Sequence, residues 1–232
     1  MTQLLESNFH DILKRFKKEV AEHKKDLSFS IIGSALISSD VLILGNNWGG
    51  DEDVASQLAM PLVNDILVDQ SNPTYRGYFT FFHRLFDLDK LKAINFLNRV
   101  IYTNGNFIRT PNEKQRYNES LELGYNLTNK YLTEMIKVTN SKIIICFGNS
   151  DRSATSAAFR ALGISTEFWK IKDIDIQPTS NKWSTYHLSL QYESRTYDLF
   201  SFPHSSKFNI WGTDIESNSI FENLKRQLVD IQ

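Results

Sequence analysis

The chain has very little cysteine: one, Cys146, in 232 residues. That excludes an internal disulfide, a multi-cysteine zinc site and an iron–sulfur cluster held by four thiolates. Charge of one sign is equally scarce in excess, with 26 Lys and Arg against 27 Asp and Glu, a net −1. A dedicated nucleic-acid binder usually carries a basic surplus, so only a local basic patch is open to this chain. No apolar run approaches the roughly 20 residues that a membrane span requires. Five prolines and ten glycines are scattered without a linker, repeat or low-complexity tract, which points to one domain over 1–232. The first residues, MTQLLESNFHDILKRFKKEV, mix charges of both signs, unlike a secretory signal. A cytoplasmic location is therefore expected, and the sequons at 118–120 and 126–128 imply no glycosylation.

What is present is a regular alternation. Leu5, Phe9, Ile12, Leu13, Phe16 and Val20 recur at helical spacing, predicting an amphipathic helix over about 3–25 whose lysines face water. VLIL (41–44), VIYT (100–103) and KIIICF (142–147) read as buried strands. Residues 54–98 read as mostly helical with a break near Asn72 and Pro73, and 118–139 as a helix. Ser150 or Asp151 suits the cap of the helix after the third strand, and Gly163 its left-handed end. Alternating Tyr186, Leu188, Leu190 and Tyr192 predict a strand paired across ESRT with YDLFSF, and a helix over about 215–231 follows. Cys146 lies in an apolar run and reads as a buried small hydrophobe.

Strands alternating with helices predict an open α/β sheet, and such sheets bind ligands beyond the carboxyl ends of their strands. Four unusual loops, GNNWGG, NGNFIRTP, GNSDRS and PHSSKFN, each follow a predicted strand, so parallel strands would bring all four to one rim. The loops contain no Walker lysine, no dinucleotide glycine pattern, no nucleophile elbow and no histidine pair at metal spacing. They hold amides, one histidine and backbone donors. Such groups suit a planar polar ring, an oriented water and a developing anion.

In order and spacing these segments resemble the four motifs of the uracil-DNA glycosylase superfamily. VLILGNNWGGDED is similar to the first, closest to the Gly-x-Asn-Pro-Gly branches; VIYTNGNFIRTP, KIIICFGNSDRSA and FPHSSKFN resemble the later ones. The resemblance implies a three-layer α/β/α sandwich with a central, mainly parallel four-stranded sheet. It implies a monofunctional DNA glycosylase that cleaves the N-glycosidic bond of a flipped uracil or a related deaminated or 5-modified base, without metal or cofactor. Asn47 and His204 fall at its catalytic positions, the first orienting water and the second donating to uracil O2. Gly45, Asn46, Trp48, Gly49 and Asn104 fall at base-binding positions, Asn104 as the reader of the pyrimidine edge. Ser205, Ser206, Lys207 and Arg109 would meet the DNA backbone, and single-stranded or mismatched DNA is the implied partner of a monomer.

Three positions depart from the family pattern. Trp48 and Ser205 stand where proline is usual, and Gly49 stands where the uracil-specific branch has a tyrosine. The stacking aromatic could be Phe79, Phe81, Phe82 or Phe107. Another register would place Asn46 at the acidic position of the iron–sulfur branch, whose cysteines this chain lacks. Asp51, Glu52 and Asp53 read as an acidic helix start. Two other readings stay open: a non-catalytic nucleic-acid or nucleotide-binding module, and a hydrolase of free nucleosides.

Overall fold

The computed structural model describes residues 2–22, 29–34, 39–47, 57–59, 71–108, 119–150, 153–164, 171, 173–180 and 183–229. In chain order the strands are β1 (Ser30–Ile32), β2 (Val41–Asn47), β3 (Gln57–Ala59), β4 (Ile101–Asn106), β5 (Ile143–Phe147), β6 (Asp175–Ser180), β7 (Trp183–Tyr192) and β8 (Arg195–Phe202). The helices are α1 (Thr2–Glu22), α2 (Pro73–Leu85), α3 (Lys90–Leu97), α4 (Glu119–Thr139), α5 (Ala154–Ala161), α6 (Phe208–Trp211) and α7 (Ser219–Val229). Short 3-10 turns cover Ser205–Lys207 and Ile215–Ser217.

The fold is α/β around a mixed six-stranded sheet in the order β4-β2-β5-β8-β7-β6. The expected four strands are thus corrected to six. β4, β2, β5 and β8 run parallel, while β7 and β6 add an antiparallel wing. The wing grows from the predicted hairpin, whose turn is only Glu193 and Ser194, both at positive φ. A two-residue turn of that hand matches the twist of its strands. β6 carries Pro178, and its pairing with β7 shifts register between Pro178 and Ser180. Proline lacks a ladder donor and is tolerated at such an edge.

Alternation along the central strands sends side chains into two cores. Val41, Ile43, Tyr102, Ile145, Phe147 and Phe202 pack with α2, α3 and α7. Leu42, Leu44, Ile101, Ile144, Cys146 and Leu199 pack with α4 and α5. Cys146 is fully buried and burial raises its thiol pKa, so it is the small hydrophobe that its apolar run predicts.

A third core seats α1 on α4. The Phe16 ring meets Phe29, Phe107 and Tyr131 edge-on at 4.9, 5.4 and 5.4 Å. Each such pair adds about 0.5–1.5 kcal/mol beyond area burial.

Other boundaries differ locally. Residues 57–59, expected as helix, form β3 paired with β1, while the expected end of the first helix, 23–25, lies outside the described residues. The last predicted helix divides into a 3-10 turn and α7, whose first turn is capped by Asn218 through the amides of Ile220 and Phe221. The start of α5 falls after Ser153 rather than at Ser150 or Asp151; Asp151 lies outside the described residues.

The first amide of α5, Ala154 N–H, donates to Asn46 Oδ1 at 3.0 Å, so β2 itself caps the helix. Gly148, at φ +134°, lies between them: a Cβ there would stand 2.0 Å from Asn46 Oδ1. Asn46→Ala leaves a buried donor unmet. It is expected to lower the unfolding free energy by about 1–3 kcal/mol, read as a drop in the urea midpoint; an unchanged midpoint would contradict this role.

Candidate functional site

The four parallel strands end together. Asn47 pairs with Asn106, Gly45 with Asn104, and Phe147 with Phe202. Gly148 N–H donates to Phe202 O at 2.8 Å, and the chain turns from β8 through Pro203 into His204. Asn47 ends β2, Asn104 lies two residues before the end of β4, Gly148 follows β5 and His204 lies two residues beyond β8, so all four are at the carboxyl side of the parallel strands. Trp48, Gly49 and Arg109 lie outside the described residues, as do Asp51, Glu52 and Asp53, and Asn47 is described only through its backbone.

Asn104 is buried, and its Oδ1 accepts from the Tyr102 hydroxyl at 3.0 Å. Tyr102 Oη is in turn 3.1 Å from Tyr78 Oη. Because Oδ1 turns toward Tyr102, the two Nδ2 hydrogens face the other side of the amide. All three polar atoms crowd over Gly45. A Cβ there would meet Asn104 Oδ1 at 2.1 Å, Tyr102 Oη at 2.4 Å and Tyr78 Oη at 2.8 Å. Gly45 is needed for close approach, and two tyrosines that sequence reasoning missed orient Asn104. No short motif marks them, since Tyr78 and Asn104 lie on different elements.

Asn46, expected at the base, spends its carbonyl oxygen on Ala154, as described above. Asn106, which pairs with Asn47 across the sheet, accepts from Ile108 N–H at 3.0 Å, leaving a buried Nδ2 without a partner among the described residues. Of the candidate stacking aromatics, Phe81 and Phe82 are buried against α7 and α3 respectively, and Phe107 in the α1 core. Phe79 is partly buried and stacks on His83 at 5.5 Å.

His204 is half-buried and held from three sides. Ser206 N–H donates to Nδ1 at 3.3 Å, with Ser206 Oγ 2.8 Å from the same nitrogen. A backbone amide can only donate, so Nδ1 accepts, and the neutral ring carries its proton on Nε2. The His204 carbonyl accepts from Trp211 Nε1 at 3.1 Å and from Lys207 N at 3.0 Å. Ser205 is wholly buried, and its carbonyl presses on Gly77 of α2, where a Cβ would stand 1.9 Å away. Ser206 is half-buried and Lys207 exposed.

Among the described residues no three His, Cys, Asp or Glu side chains gather as a metal would need. On the antiparallel wing His187 bonds Asp198 at 3.0 Å and lies 3.5 Å from Asp175. No protein-family model and no curated protein matches the sequence.

Burial raises the pKa values of both Tyr78 and Tyr102 above the ordinary 10.0, against their mutual hydrogen bonding in the case of Tyr78. The unfolded chain ionises these phenols near pH 10 while the folded chain keeps them neutral. Their contribution to stability is thus complete below about pH 10 and is lost as pH rises toward the folded values. Urea midpoints measured upward from pH 9 should fall, and Tyr102→Phe should flatten the fall; an identical slope in the variant would contradict it. Gly45→Ala should cost about 1–3 kcal/mol by overpacking, measured by thermal or urea unfolding.

Proposed function

We propose that the chain is a DNA glycosylase-type N-glycosyl hydrolase with the three-layer arrangement of the uracil-DNA glycosylases. The observation that supports this reading is that Asn47 and Asn104 lie near the carboxyl ends of β2 and β4 and His204 just beyond that of β8, parallel strands of one sheet, with the His204 Nδ1 accepting from Ser206. The bond to be broken joins a pyrimidine N1 to the sugar. As it lengthens, negative charge gathers on the departing base, and a preorganised donor at its O2 lowers the barrier. One such donor is worth on the order of 100- to 1000-fold in rate.

His204 supplies that donor. Its Nδ1 is occupied by Ser206, so the ring need not reorganise during the reaction. Asn47 is neutral and orients the attacking water rather than deprotonating it; the departing base supplies the driving force. Asn104 reads the pyrimidine edge with an amide whose orientation Tyr102 fixes. The base reaches these groups by leaving its stack, at an unstacking cost of a few kcal/mol that is smaller for single-stranded or mismatched positions. DNA is accordingly the proposed partner, with Lys207 at the backbone.

A second reading has its own support. Asn104 is 1% exposed with its carbonyl oxygen engaged, and Asn46 is committed to the helix cap. Both facts favour a binding module that keeps this arrangement without turnover.

The experiment is base release from single-stranded and mismatched oligonucleotides carrying uracil, hydroxymethyluracil, hypoxanthine or thymine. Release is expected from at least one, reduced about 100- to 1000-fold in His204→Ala and abolished in Asn47→Ala. Full activity in both variants would overturn the site. No release from any substrate, with retained DNA affinity, would establish the binding module.

A further inference from the structure

Helix α2 and the turn that follows His204 touch at one seam, Gly77 against the Ser205 carbonyl. Beside that seam a cleft of about 350 Å³ stays open, walled by Arg76, Thr80 and Arg84 from the helix and by Ser206, Asn209 and Thr213 opposite. The three helix residues recur every fourth position and so share one face. Among the described residues the lining holds two guanidinium groups and no carboxylate.

The two arginines differ in state. Arg84 is committed: Nη1 donates to Gly212 O at 2.5 Å and Thr213 O at 3.3 Å, Glu216 lies at 3.5 Å, and Phe208 covers the group at 5.5 Å. Arg76 is exposed, and no carboxylate pairs with it among the described residues. Its planar fork of donors suits an oxyanion. Ser206 and Asn209 add polar groups on the facing wall.

We propose that this cleft binds a phosphate ester, with the phosphate on the Arg76 guanidinium and the Asn209 side-chain amide and the organic body lying toward Phe208 and Gly212. A bare anion would leave most of the volume empty, whereas a nucleotide unit falls within the usual ligand range of roughly 300–1,000 Å³. The polar walls argue against an apolar occupant. Ser206 belongs to both the cleft and His204 Nδ1, so an occupied cleft lies one side chain from the imidazole. The phosphate can come from a free nucleotide or from a nucleic-acid strand. The site stands whether or not the protein excises bases.

The test is calorimetric titration of the full chain with thymidine 5′-monophosphate, with unphosphorylated thymidine and with an abasic single-stranded oligonucleotide. Wild type is compared with Arg76→Ala and Arg76→Lys. The phosphorylated ligand should bind and thymidine should not. Arg76→Ala should weaken binding roughly tenfold or more, with part of the loss restored in Arg76→Lys. Because Arg76 is exposed, an unchanged near-ultraviolet circular dichroism spectrum confirms that the variants fold.

Tighter binding of the oligonucleotide assigns the cleft to a strand, and its salt slope should then fall by about 0.7 in Arg76→Ala. Binding of the mononucleotide alone assigns it to a free nucleotide. Equal affinity for thymidine and its monophosphate, or no effect of Arg76→Ala, would overturn the proposal. Base release on the same preparations is an independent readout: release without phosphate binding sinks the cleft, and phosphate binding without release sinks only the glycosylase reading.

Discussion

The hydrogen bond from Ala154 N–H to Asn46 Oδ1 is the contact on which the candidate site depends. A helix start leaves amide donors unmet; here Asn46 of the adjoining strand accepts from Ala154, while the loop carbonyl of Gly148 accepts from Thr155. The bond passes over Gly148, where any side chain would collide with the asparagine. It thereby sets where β2 ends relative to β5 and α5. Asn47 ends β2 one residue later, and His204 follows β8 at the same rim.

A second set of contacts holds the imidazole. Trp211 is buried between Phe202 and Phe208, so its indole N–H fixes the His204 carbonyl from a position that the core determines. Gly77 lets the following turn rest directly on α2. Ser206 then selects the tautomer. Core packing, backbone approach and one amide proton together set which nitrogen donates. The same turn forms one wall of the cleft that contains Arg76. The two proposals thus share a structural element, the turn that carries Ser206.

Much of this architecture is legible in the sequence because it rests on apolar runs. The three central strands and the hairpin are marked by hydrophobic content or alternation, and glycine or proline punctuates their ends. β6 is not marked: DIQPTS is polar, half-exposed and contains a proline, so locally it resembles a loop, and only pairing with β7 makes it a strand. β1 and β3 are three residues each, too short to show a period. Of the site, the loops that follow the central strands were legible, because each ends an apolar run at a glycine, asparagine or proline. Asn46 was not readable as a helix cap, since Ala154 lies 108 positions away. In the Tyr78–Tyr102–Asn104 chain the strand period already places Tyr102 and Asn104 on one face, but Tyr78, 24 positions before Tyr102, is brought to them only by the fold.

The central claim is that the strand-end rim receives a pyrimidine through His204 and Asn104. It is tested most directly by nitrogen-15 NMR of the labelled protein titrated with 2′-deoxyuridine, following the His204 ring nitrogens and the Asn104 side-chain amide. In the free protein, Nε2 should be the protonated ring nitrogen; on titration both that signal and the Asn104 amide should shift and saturate together. A proton on Nδ1, or two signals that stay still while others respond, would contradict the account.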